Sequence, residues 1–151
     1  MPEFKSGFVT LIGRTNVGKS TLINLLVGEK VAAIANKVQT TRTAIRGIVN
    51  RENSQIIFTD TPGIHKPHTK LNETMLETSF TSLADADVVL FLIEATSDDI
   101  GRGDSRIIEK LKEEKAKTIL IINNIDLVKR EKLLNLIDIY SKEYNFEAVI
   151  P

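Results

Sequence analysis

Apolar positions along the chain fall into two kinds of run. Gly7 to Ile12 is a short apolar run that reads as a strand, Val88 to Ile93 and Thr118 to Ile122 are continuous stretches of the kind that form strands covered on both faces, and Phe146 to Ile150 is also strand-like. Elsewhere the spacing is helical. Leu22, Ile23, Leu25 and Leu26 follow the first strand; Leu71, Met75, Leu76 and Phe80 lie within Leu71 to Leu83; Ile107, Ile108 and Leu111 lie within Ser105 to Glu114; and Leu133, Leu136, Ile137 and Tyr140 lie within Lys129 to Tyr144. Between them, Ile45, Gly47 and Val49 alternate, Arg51 to Ser54 is a polar break, and Gln55 to Phe58 is a second run, which together predict an antiparallel hairpin. Strands alternating with helices in this order predict a three-layer α/β fold, mainly parallel, with one antiparallel edge strand over Thr43 to Asn50. There is no internal repeat, low-complexity tract or linker, so the 151 residues read as one domain. The chain ends on a strand with no helix after it, which leaves part of one sheet face without an obvious cover and predicts a truncated chain.

Composition narrows the partners more than the fold. Twenty basic residues balance 20 acidic ones, so the chain lacks the broad positive field that drives unspecific binding to nucleic acid or anionic lipid, and an RNA partner would need another domain. With no cysteine there can be neither a disulfide framework nor a thiolate metal site. The N-terminal Met1 to Phe8 has no apolar core of a signal peptide, and Val88 to Ile93 is far below the roughly 20 residues needed to span a bilayer. A soluble, cytoplasmic protein is expected.

Three short motifs carry chemistry. Gly13, Arg14, Thr15, Asn16, Val17, Gly18, Lys19 and Ser20 fit G-x-x-x-x-G-K-[ST] between a predicted strand and a predicted helix, with Thr21 next in that helix. The glycines let backbone wrap around phosphate, the helix N-terminus supplies positive potential, Lys19 sets a point charge between β- and γ-phosphates, and Ser20 offers a hydroxyl to Mg2+. This makes the fold a P-loop NTPase fold. Asp60, Thr61, Pro62 and Gly63 follow the strand Gln55 to Phe58. Asp60 can hold Mg2+ through water and the Gly63 N–H can reach a γ-phosphate, with Ile64 next in line. Taken alone the run would be a plain turn. Asn123, Asn124, Ile125 and Asp126 end the strand Thr118 to Ile122 and match N-K-x-D except for Asn124 in place of lysine. A carboxylate at Asp126 can accept from guanine N1–H and the 2-amino group, neither of which adenine presents, and leaving such a polar site unpaired discriminates strongly. The missing lysine stem predicts weaker nucleotide binding.

With Gln39, Thr40, Thr41 and Arg42 between the first two motifs, the whole order resembles the Era family of GTPases. The resemblance rests on the opening K-S-G-F-V, the G-R-x-N-V-G-K-S loop, Q-T-T-R and D-T-P-G-I-H-K-P, with Thr15 where a proline is usual. It implies GTP hydrolysis as a molecular switch, Mg2+ held by Ser20, Asp60 and a switch threonine (Thr40 or Thr41, of which Thr41 is preferred), and catalytic roles for Lys19, Asn16, Thr41 and Gly63. Asn16 stands where cation-dependent relatives help bind K+; its other reading is a residue that fills the loop. Ile64 cannot orient water as the glutamine of Ras-like enzymes does.

The resemblance further implies GTP and GDP as ligands, with ribosomal RNA and the small ribosomal subunit reached through a KH domain beyond Pro151. It allows a peripheral membrane association and calls for no obligate oligomer. Relatives continue with a Ser-Ala element that contacts the guanine oxygen and with a final helix. Lys37, Arg42, His65, Lys66, His68 and Lys70 make a modest basic cluster that reads first as solvated surface, and the two histidines lack a third metal ligand. Two other functions fit the motifs: a nucleotide-gated binding module with negligible hydrolysis, and an ATP-using P-loop enzyme, against which Asp126 speaks.

Overall fold

In the computed structural model of the chain, residues 3–14, 17–28, 44–60, 83 and 86–151 are described, with 44–46 and 60 as backbone only. Strand β1 (Lys5–Gly13) runs into helix α1 (Lys19–Val27). Strands β2 (Ala44–Asn50) and β3 (Ser54–Asp60) form the hairpin, and β4 (Val88–Glu94), α2 (Arg102–Glu114), β5 (Thr118–Asn123), α3 (Arg130–Glu143) and β6 (Ala148–Ile150) alternate to the end. A one-turn 3-10 helix, Ile125–Leu127, follows β5.

The six strands form one sheet in the order β2-β3-β1-β4-β5-β6. Only β2 runs antiparallel, against β3 and at the sheet edge, with a register shift between Ile45 and Gly47. The other four pairings are parallel. This is the three-layer arrangement that the apolar pattern predicts, and its cause is visible strand by strand. From Val89 to Ile93 every residue of β4 is buried, because the strand lies inside the sheet with cover on both faces.

On one face Ile12, Phe91, Ile93, Leu120 and Ile122 pack with Ile107, Ile108 and Leu111 of α2 and with Leu136 and Tyr140 of α3. Leu83, the last residue of the predicted helix Leu71 to Leu83, is helical and buried in the same cluster, and the rest of that segment lies outside the described residues. The opposite face packs Leu11, Phe58, Leu90 and Leu92 with Val17 and with Ile23 of α1.

Two details depart from the sequence reading. Strand β5 was expected to be fully buried, but its side chains alternate between buried and half-buried. Leu120 and Ile122 face α2 and α3, whereas Ile119 and Ile121 lie on the face where the described helix, α1, packs over β1 and β2 instead. Helix α1 buries Ile23 but leaves Leu25 and Leu26 exposed. It ends where Gly28 takes φ 73° and its N–H donates to Asn24 O, a left-handed turn that a glycine allows without strain. No described helix is long and apolar enough to cross a membrane.

Candidate nucleotide site

Parallel strands deliver their C-terminal ends to one edge of the sheet. Register places Leu11 of β1 beside Asp60 of β3, Gly13 of β1 beside Leu92 of β4, and Glu94 of β4 beside Asn123 of β5. The ends of β1, β3 and β5, each carrying one motif, therefore line a single crevice, as ligand sites in open α/β sheets do.

Packing explains the two glycines of the first motif. A Cβ on Gly13 would lie 2.7 Å from the Leu92 carbonyl oxygen and 2.9 Å from Val17 Cγ2, so a side chain there would drive β1 away from β4. Gly18 has φ 102°, and a Cβ on it would sit 2.4 Å from Asn123 Nδ2. Any side chain at either position would displace the wall of the cradle. Between them Val17 is buried and fixes the loop to the core, while Gly18 O accepts from Leu22 N to start α1.

Helix α1 has no side-chain cap at its N-terminus, so the amides of its first turn are left for an anion. Lys19 is buried, and its Nζ donates to Gly13 O at 3.1 Å across the loop it closes. An ammonium has three donors, so this bond is compatible with another to a phosphate. Ser20 and Thr21 are exposed in the same first turn. The glycine-walled cradle, uncapped amides and Lys19 fit a polyphosphate, and the Ser20 hydroxyl beside them fits its divalent cation. Asp60 ends β3 next to this loop. Beneath it, Thr10 and Thr59 share a buried hydrogen bond of 2.6 Å that locks β1 to β3.

The third motif is tied to the first through one side chain. Asn123 Nδ2 donates to Val17 O at 3.0 Å, and its Oδ1 accepts from Asn124 N at 2.9 Å. Asn124 holds φ 61° and ψ 38°, a left-handed conformation that asparagine tolerates better than lysine. From sequence, Asn124 shows only the loss of the lysine stem; the left-handed backbone that favours asparagine there is evident only in the fold. The 3-10 turn that follows presents Asp126 to solvent between the exposed Ile125 and Leu127.

Thr15, Asn16, Thr40, Thr41, Thr61, Pro62, Gly63 and Ile64 lie outside the described residues, as does the basic cluster of Lys37, Arg42, His65, Lys66, His68 and Lys70. Among the described residues no group of three or more His, Asp or Glu side chains is placed to hold a metal ion.

Arg14 behaves unlike its neighbours. Its guanidinium turns away from the cradle: Nη2 donates to Ser97 Oγ at 3.2 Å, and Nε lies 3.3 Å from Asp104 Oδ1. Asp104 is fully buried in the first turn of α2, and its Oδ2 accepts from the Tyr140 hydroxyl at 2.7 Å. Burial pushes the Asp104 carboxyl above its ordinary range, with the Tyr140 hydrogen bond and the Arg14 charge pulling the other way. Burial, then the Asp104 charge, push the Tyr140 phenol upward as well. Sequence reasoning missed Asp104, yet a signal was present: Asp104, Ile107, Ile108 and Leu111 follow the spacing of one helix face, and that face is buried.

A fold of this kind with this cradle defines a P-loop nucleotide-binding domain, and the family model described as 50S ribosome-binding GTPase matches residues 8–124. The chain belongs to that family. Among the proteins it is similar to is GTPase Era of Ruminiclostridium cellulolyticum, 49% identical over 99% of this chain and 50% of the relative. A crystal structure of Era in complex with MgGDPNP and nucleotides 1506–1542 of 16S ribosomal RNA superposes with a TM-score of 0.81 at 39% identity, covering 99% of this chain and 51% of the other. A variant of Aquifex aeolicus Era bound to GDP and aluminium fluoride gives a TM-score of 0.76 at 37% identity, covering 98% and 51%. The chain thus spans about half the length of the relatives it matches. Nucleotide and Mg2+ are together in the first of those structures.

Proposed function

We propose that this chain is the guanine-nucleotide-binding unit of an Era-type GTPase, which hydrolyses GTP to GDP as a switch and, in a longer parent protein, signals nucleotide state to ribosomal RNA of the small subunit. The observation that carries the reading is the glycine-walled cradle joined through Asn123 to the turn bearing Asp126. Phosphate and base are then held at a fixed separation by one framework.

In this reading the first-turn amides of α1 and Lys19 bind the β- and γ-phosphates, and Asp126 accepts from the guanine edge. Ser20, Asp60 and Thr41 would hold Mg2+, which supplies charge neutralisation at the phosphates when bound. Water attacks the γ-phosphorus in line, breaking its bond to the bridging oxygen and releasing GDP and phosphate. Gly63 donates its amide to the γ-phosphate. Ile64 offers no polar group to orient the water, so charge stabilisation falls to the cradle, where Asn16 would help hold a K+ ion that would supply positive charge at the phosphates. Balanced charge on the chain supports placing the RNA contact elsewhere in the parent protein, and the resemblance to Era implies a KH domain for it.

Competition of unlabelled GDP and ADP against labelled GDP, with Mg2+ and K+ present, tests the base choice. GDP displaces the label at far lower concentration than ADP, and Asp126→Ala removes that preference. Equal displacement by ADP in the unmodified chain would end the reading. Single-turnover phosphate release, run in K+ and then in Na+, tests hydrolysis and its cation together. Release that is faster in K+ is expected, and equal rates remove K+ from the site.

A further inference from the structure

We propose that Asp104 and Tyr140 are positioning residues for the phosphate loop, acting through Arg14. The proposal rests on the reading of that loop as the phosphate site and adds residues on two distant helices to its support. Arg14 follows Gly13 directly, so wherever its guanidinium is held, the entrance to the loop is held too. Three elements meet on it: the β4–α2 connection through Ser97 Oγ, the first turn of α2 through Asp104, and, one bond further, α3 through Tyr140.

Two ordinary explanations for Asp104 fail. It does not cap its own helix, since the N-cap of α2 is Gly101 and no side-chain cap hydrogen bond is made there. Nor is it a surface carboxylate, because its side chain is 1% exposed while Arg14 remains 35% exposed. A carboxylate buried to that degree is costly, and replacing such pairs by apolar residues is commonly neutral or stabilising. What it provides here is geometry.

Arg14 Nε and Asp104 Oδ1 are each buried without a well-aligned hydrogen bond, so they answer one another as charges, whereas Oδ2 is fixed by the short bond from Tyr140. Tyr140 is itself fully buried and set edge-on to Phe91, with ring centroids 6.2 Å apart, so the phenol oxygen has little freedom. Rigidity passes from the Tyr140 hydroxyl to Asp104, from Asp104 to Arg14, and from Arg14 to the strand end on which the cradle is built. A second tie runs between the same parts on the surface, where Lys132 Nζ of α3 donates to Thr96 O at 3.0 Å.

The test is the affinity of the intact chain for a fluorescent GDP, set beside its thermal melting without nucleotide. Tyr140→Phe deletes one oxygen and keeps the ring, Asp104→Asn keeps the shape and removes the charge, and Arg14→Lys keeps the charge and removes the fork. Each is expected to weaken GDP binding by roughly two- to thirtyfold, the range for residues that act on a site without touching its ligand. In an Arg14→Lys background the other two substitutions add little further loss, since the path to the loop is already cut.

Leu136→Ala is the control. It destabilises the same face of α3 through packing alone and leaves affinity unchanged at temperatures where the protein is folded. Affinity losses that merely track melting losses across all four variants overturn the proposal. So does wild-type affinity in folded Tyr140→Phe, the mildest change, or in folded Arg14→Lys, which alters a partly exposed side chain. Failure of the unmodified chain to bind GDP would instead sink the underlying reading of the loop.

Discussion

The cradle and the turn, proposed to hold phosphate and base, lie side by side at the C-terminal ends of the parallel strands but are built in opposite ways. The cradle is closely packed on both of its glycines, Gly13 against the Leu92 backbone carbonyl and Gly18 against the Asn123 side-chain amide, with Val17 buried below. The turn projects into solvent. Asp126 is exposed, its neighbours Ile125 and Leu127 are exposed, and Asn124 holds a left-handed bend on which the turn depends. In the proposed reading, affinity for polyphosphate therefore rests on a packed region that tolerates almost no added atoms, while choice of base rests on a few side chains that can change without disturbing the core. Asn123, whose side chain bonds to both, is what makes the two parts one site.

The largest effect is expected on the packed side. Gly18→Ala combines a positive φ with a Cβ 2.4 Å from Asn123 Nδ2, so either the loop or Asn123 must move. Strain of about 1–3 kcal/mol is typical of such positions. Titration with labelled GDP should show a loss approaching a hundredfold, roughly the upper end of that range, because cradle and base turn are displaced together. Near-normal binding would show that the cradle is not the tight element described here.

A smaller and opposite effect is expected on the exposed side. Asn124→Lys restores an aliphatic stem beside the base, and burying a few methylenes at about 0.8 kcal/mol each corresponds to roughly tenfold tighter GDP binding. Lysine in the left-handed region costs the unliganded protein about 1–2 kcal/mol relative to the ordinary helical conformation. Higher affinity with a lower melting temperature is therefore the expected pair of results. Tighter binding without loss of stability would mean that the turn relaxes freely, and unchanged affinity would mean that the stem does not reach the base.

How much of this was legible in the sequence follows from the range of the forces involved. The strands and their parallel order were readable because burial on both faces demands continuous apolar runs, as in Val88 to Ile93. The cradle was readable because only glycine fits at positions 13 and 18, so geometry leaves a residue-type mark. Half-burial of Ile119 and Ile121 was not, since it depends on which helix covers which strand. The partner of Asp104 was not readable either. Its place on an apolar helix face marks it as buried, but the cation it answers is 90 residues earlier in the chain and is brought near only by the sheet order.

That buried carboxylate supplies the smallest prediction and the one that probes what lies beneath the cradle. Burial raises the Asp104 carboxyl above its ordinary 3.8, with Glu94 adding to the rise and Tyr140 and Arg14 opposing it. A raised acid holds its proton more tightly in the folded chain than in the unfolded one. Its contribution to stability is therefore fully present below about 3.8, is lost as pH rises through the folded value, and changes no further above it. Asparagine at 104 has no such step. Urea unfolding of the two proteins, compared at matched pH from the acid range to neutrality, should show the stability of the wild type falling relative to Asp104→Asn as pH climbs, then running parallel. A constant difference would mean that Tyr140 and Arg14 fully offset the burial of Asp104, so that its carboxyl holds a proton no more tightly in the folded chain than in the unfolded one.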